Sequence, residues 1–149
     1  MMGRGVGGVR FGALLHRPML MPVSPRPLSD RMVAFSVSVC RAARGMPSDF
    51  VGTEIGRQLA RAGMSPAANC AVARDAVSNR DYLFKMQICL KELRETMVWL
   101  RVARGNGFRN ARYDALEKEC NELTAIVVTC VKKAKATRGP VEDRRPNGK

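Results

Sequence analysis

The chain has 149 residues, 46% of them hydrophobic and 26% charged, with 26 Lys and Arg against 13 Asp and Glu for a net charge of +13. That length holds one domain with a sizeable core and is too short for two ordinary ones, and no apolar run approaches the roughly 20 residues needed to cross a bilayer. A single histidine, His16, and five scattered cysteines with no CxxC pair argue against a disulfide framework and fit reduced thiols in a cytoplasmic protein.

The charge is unevenly spread. Residues 1–31 carry five Arg against one Asp, residues 32–137 carry 17 basic against 10 acidic groups, and residues 138–149 carry four against two. The excess therefore persists in the part expected to fold, which favours a polyanionic partner such as RNA or DNA; the alternative is a solvated basic surface.

Residues 1–28 are rich in Gly, Pro and Arg and contain no acid. Gly3, Gly5 and Gly8 satisfy GxGxxG, but no strand precedes them and no helical pattern follows, so a dinucleotide site is not expected. Arg10, His16, Arg17 and Pro18 interrupt the only apolar run, which argues against a secretory signal. An Arg-rich, acid-free start resembles an organellar transit peptide or an RGG-like RNA-binding segment. The expectation is a disordered extension, or sequence upstream of a true start at Met19, Met21 or Met32.

Residues 30–46 carry two periods at once. Val33, Phe35, Val37 and Val39 alternate as in a strand, whereas Met32, Phe35, Val39, Ala42 and Met46 recur at three, four, three and four as in a helix. The length and the lack of a second strand favour a helix, capped by Ser29 or Asp30 and ended by Pro47. From Ser48 to about Val77 a second stripe contains Ile55, Leu59, Ala62, Pro66, Asn69, Ala73 and Ala76. Pro66 removes a backbone donor and predicts a kink after Ala62 or Gly63. Asn69 places an amide on the apolar face, read as a structural group that ties the kink or fixes register. Gly63, Ala67, Ala68 and Ala71 leave room for close approach by a neighbouring helix.

The strongest helical pattern runs from Ser78 to Gly105. Met86, Leu90, Leu93, Met97 and Leu100 form its main stripe, and Cys89, Thr96 and Ala103 widen one edge, which suits a bundle better than a two-stranded seam. Ser78 and Asp81 supply a capping-box-like start, and Gly105-Asn106-Gly107 a stop. The last stripe, at 111–136, carries Leu116, Cys120, Leu123, Val127, Cys130 and Ala134, with acids early and lysines late as a helix dipole prefers. The expected architecture is all-α: an up-down-up-down four-helix bundle over residues 29–137 with a kinked second helix, preceded by a disordered extension and followed by a flexible polar tail at 138–149.

Glu92-x-x-Glu95 and Glu119-x-x-Glu122 have the spacing of metal-binding carboxylates in bundles, but no histidine accompanies them. They read as partners for Arg or Lys on adjacent helices, with Glu92 and Glu95 locking the bundle. Neither a catalytic triad nor an activated thiol can be assembled without a core histidine, so neither catalysis nor a cofactor is expected. Arg57 and Arg61, one turn apart, and Lys91, Arg94, Arg101 and Arg104, away from the main stripe of the third helix, form rows suited to a phosphate backbone. Trp99, Tyr82 and Tyr113 are isolated, so base stacking is not suggested and binding should be weakly sequence-specific.

Several residues together resemble the bacterial four-helix-bundle family encoded by intervening sequences in 23S ribosomal RNA genes, itself similar to the accessory variability protein of diversity-generating retroelements. They are Gln58, Leu59 and Arg61 before Ser65-Pro66-x-x-Asn69, then Phe84-Lys85, Glu92, Glu95-Thr96 and Trp99-Leu100, and finally Glu119, Glu122 and Leu123. The resemblance covers roughly residues 28–136. It implies a homopentameric ring of up-down bundles without known enzymatic activity and, by the retroelement relative, binding to nucleic acid and a reverse transcriptase. Val72 stands where family members usually carry Glu, which removes a polar group near Asn69. A scaffold that binds protein partners is the alternative function.

Overall fold

In a computed structural model, residues 27–108 and 110–137 are described; the expected extension before Pro27 and the tail from residue 138 lie outside them. Four helices follow one another: α1 (Leu28–Arg44), α2 (Phe50–Arg74), α3 (Asn79–Gly105) and α4 (Ala111–Ala136). Each packs on its neighbours in sequence, and α1 meets α4 to close the ring, giving an up-down-up-down four-helix bundle. No strand occurs among the described residues.

The helix starts follow capping chemistry at three of four sites. Asp49 accepts the Gly52 amide at 2.7 Å, Ser78 Oγ accepts the Asp81 amide at 3.1 Å, and Asn110 accepts the amides of Arg112 and Tyr113. At α1 neither Ser29 nor Asp30 is the cap. The helix begins at Leu28 behind Pro27, with no side-chain cap, and Asp30 lies in the first turn, where its charge complements the dipole.

The periodicity of α1 resolves as helical. Met32, Phe35, Val39 and Ala42 are buried, whereas Val33 and Val37, the other half of the alternating set, are 55% and 44% exposed. On α3 the widened stripe is inward: Met86, Cys89, Leu93, Thr96, Met97, Leu100 and Ala103 are all buried. The Thr96 hydroxyl, fully enclosed, donates to the Glu92 carbonyl at 2.8 Å, so its burial leaves no orphan donor. On α4 the stripe drifts after Val127: Val131 is buried, and Cys130 and Ala134 are only half-buried.

Helix α2 runs unbroken through Pro66, which is itself buried. Three groups from around the fold serve its backbone near that point. Asn69 Nδ2 donates to the Ser65 carbonyl and Oγ at 3.0 and 3.2 Å, Ser36 Oγ on α1 donates to the Gly63 carbonyl at 2.7 Å, and the Cys89 thiol on α3 donates to the Pro66 carbonyl at 3.5 Å. Close approach of α1 and α2 is set by glycine. A Cβ on Gly63 would run into the Val39 side chain, and one on Gly56 would lie 3.0 Å from the Ala43 carbonyl oxygen. Ala68 and Ala71, by contrast, are exposed rather than packed against another described helix.

The α1–α4 seam is pinned at its two ends. Arg31 reaches Glu119 through two hydrogen bonds of 3.0 and 2.8 Å and Glu122 through a third of 2.9 Å, and the buried Tyr113 hydroxyl donates to the Ala42 carbonyl at 3.2 Å. Between these pins lies an open cleft of about 630 Å³ floored by Phe35 and Leu116.

Candidate nucleic-acid interface

Among the basic side chains singled out by spacing, Arg61, Lys91, Arg94 and Arg101 are exposed and make no ion pair with a described residue. Lys91, Arg94 and Arg101 follow one another at three and seven, so they share a flank of α3. The Cys120 thiol donates to the Leu93 carbonyl at 3.2 Å, which sets α4 against the middle of α3.

Arg57 and Arg104 are otherwise occupied. Arg57 is held by Glu54 at 2.8 Å on its own helix, and the hydrogen bond from Arg57 is the leading cause that keeps the Glu54 carboxyl below its usual range. Arg104 binds Asp114 at 3.0 Å and Glu117 at 2.8 Å, tying the end of α3 to the start of α4 across their loop. Its guanidinium is a clamp between helices in this structure. Arg57 and Arg61 rise from α2, and Arg94 and Arg101 lie toward the α4 side of α3, so the two rows do not merge into one track.

The carboxylates divide in the same way. Glu119 and Glu122 are paired with a basic group on another helix, as their spacing without histidine suggested, and that group is Arg31. Both carboxylates raise the Arg31 pKa, Glu119 through the leading hydrogen bond. Glu92 and Glu95 are half-buried on α3 and make no ion pair or side-chain hydrogen bond with a described residue. Asn69 is half-buried and satisfied locally through Ser65, and Val72 is 49% exposed on the same helix.

No cluster of three or more His, Cys, Asp or Glu suited to a metal ion occurs among the described residues. All five cysteines are free thiols. Burial pushes Cys89 and Cys120 up to about 12, far from the range of a reactive thiolate, and both sulfurs act instead as weak donors to backbone carbonyls. No helix among the described residues is long and apolar enough to cross a membrane.

Four antiparallel amphipathic helices around a shared apolar core, with basic side chains turned outward, define the class: an all-α four-helix bundle. The chain belongs to the family of the 23S rRNA-intervening sequence protein, whose sequence model matches residues 28–129. It is also similar to the crystal structure of a protein of unknown function from the S23 ribosomal protein family of Bacteroides thetaiotaomicron VPI-5482, at 25% identity and a TM-score of 0.63, with 71% of this chain and 99% of that chain covered. No curated protein matches the sequence.

Proposed function

We propose that the chain is a non-enzymatic, cytoplasmic bundle that self-associates and binds RNA or DNA through the basic flank of α3. The observation that carries this reading is the set of exposed Lys91, Arg94 and Arg101, which make no ion pair with a described residue, in a region whose net charge is +7. Flexible cations in a row on a rigid helix meet phosphates without reading bases, so affinity should be broad in sequence and fall steeply with salt. Arg61 adds a separate contact on α2. Arg57 and Arg104 contribute less, because each already neutralises a carboxylate.

A gel-shift titration of the full chain against duplex DNA and structured RNA at low and near-physiological salt tests the reading. A shift at both, weakened by salt, is expected; absence of binding near physiological salt overturns it. A second reading, a scaffold for protein partners such as a reverse transcriptase, is favoured by the exposure of Val33, Val37, Met64 and Val98. Partners captured on the chain and retained after nuclease treatment would distinguish it.

A further inference from the structure

The α1–α4 seam is bridged at both ends and open between them. Phe35 and Leu116 form the apolar floor of its cleft of about 630 Å³, and the exposed Ala34 and Ala115 beside them have side chains too small to fill it. Arg31 and Glu119 stand at one end of the cleft, joined to each other, and Ser38 and Arg112 line it toward the other, where Tyr113 meets Ala42. Arg31 and Ser38 are seven residues apart on α1, as are Arg112 and Glu119 on α4, so about 10 Å of helix separates the two polar ends.

The two ends differ in charge. Arg31 donates through Nε and Nη2 to Glu119 and through Nη2 to Glu122, so one cation there serves two carboxylates and the end keeps a negative excess. Arg112 is exposed and makes neither an ion pair nor a side-chain hydrogen bond with a described residue. It also stands in the first turn of α4, where the helix dipole disfavours a cation and favours an anion. The Ser38 hydroxyl already donates to the Ala34 carbonyl at 2.9 Å, so the positive recognition at this end falls to Arg112.

We propose that the α1–α4 cleft binds a small monocarboxylic acid, its carboxylate on the Arg112 guanidinium and its apolar body, about 10 Å long, over Phe35 and Leu116. The unequal ends set the direction: the negative excess around Glu119 and Glu122 repels a second anionic group, so the ligand's far end is uncharged. The bridges set the length. A partner helix would have to ride over the Arg31–Glu119 pair and the Tyr113–Ala42 contact to reach the floor, whereas a compact molecule fits between them. A polyanion finds a single free cation here beside two carboxylates, which is a poor match for a phosphate backbone.

A saturation-transfer NMR titration of octanoate, whose chain matches the cleft in length, against the full chain tests the assignment, with helical circular dichroism as the control for folding. Saturable binding is expected, with a dissociation constant on the order of 1 mM or tighter. Octanamide, which needs no variant, and Arg112→Gln with octanoate are each expected to weaken binding at least about tenfold, the loss of one charge-assisted contact. Octanedioate should bind more weakly than octanoate. Ala115→Trp fills the cleft from an exposed position and is expected to abolish binding, whereas K91Q and R61Q, on other faces, should leave it unchanged. Absence of saturable binding overturns the proposal, whether the cleft stays empty or a second copy covers it. So does binding that octanamide or octanedioate matches, that survives intact in folded Arg112→Gln or Ala115→Trp, or that only K91Q or R61Q weakens. Should Ala115→Trp fail to fold, Ala34→Leu on the facing helix carries the same comparison, with weakened binding expected.

Discussion

At Gly63 the absence of a side chain is a packing requirement, because a Cβ there would occupy the space of the Val39 side chain, and both positions are buried in the α1–α2 contact. Replacement by alanine therefore forces the two helices apart or Val39 off its rotamer, at about 1–3 kcal/mol. Urea unfolding should show that loss for Gly63→Ala and almost none for Ala68→Gly beyond helix propensity, since Ala68 is exposed. The buried thiols make a second prediction. Cys89 and Cys120 have folded pKa values raised to about 12, by desolvation first, above the roughly 8.5 of a thiol in an unfolded chain. A raised value means that the stabilisation is fully present below the unfolded pKa and is lost as pH rises toward the folded one, because the unfolded state releases its protons first. Stability should thus fall between about pH 9 and 12, by up to about 1.4 kcal/mol per pH unit for each thiol. Thermal unfolding over that range should be less steep in pH for the C89A/C120A variant than for the wild type.

The helices themselves were legible from their apolar periods, and α3 almost completely so, because its large residues recur without interruption from Met86 to Leu100. For α1 the sequence carried a strand and a helix pattern together, and length and the lack of a second strand decided between them; the alternation misleads because residues two apart also lie on opposite sides of a helix, which turns Val33 and Val37 outward and Phe35 and Val39 inward. Of the helix starts only that at Ser78 is read from the sequence; the Asp49 and Asn110 caps emerge with the structure, as does the uncapped start of α1, where Pro27 supplies the preset backbone angle without a side-chain acceptor. Loss of a cap should be measurable: Asn110→Ala is expected to cost about 1 kcal/mol in thermal unfolding. The interhelical pairings were beyond the sequence. Glu119 and Glu122 advertise a need for a basic partner, but Arg31 lies 88 and 91 positions away with no periodic relation to them. That triad and the Tyr113–Ala42 hydrogen bond hold the α1–α4 seam on either side of an open cleft. Arg31→Ala should therefore destabilise by about 1 kcal/mol or less, as expected of a partly exposed pair, and raise amide exchange in α1 more than in α3.

For the whole molecule, the uneven fate of its charges matters more than their number. Arg31, Arg57 and Arg104 are bound to carboxylates of the same bundle, while Arg61, Lys91, Arg94 and Arg101 project without a partner among the described residues. Spacing alone had grouped Arg57 and Arg104 with the others, because a sequence row does not reveal which cations a neighbouring helix or turn will neutralise. The candidate site was accordingly legible as a basic flank of α3, while its limit at Arg104 depends on the carboxylates that α4 brings to it. Glu92 and Glu95 show the converse: their place on α3 was evident, but the bundle-locking ion pairs expected of them do not form, since neither carboxylate has a partner among the described residues.

The most direct test of nucleic-acid binding by the α3 flank is the salt dependence of affinity for one duplex, measured by fluorescence anisotropy for the wild type and for K91Q/R94Q/R101Q. Binding through this flank entails a linear fall of log affinity with log salt in the wild type, and a slope shallower by about 0.9 for each phosphate contact removed in the variant. An unchanged slope and affinity in the folded variant would contradict it.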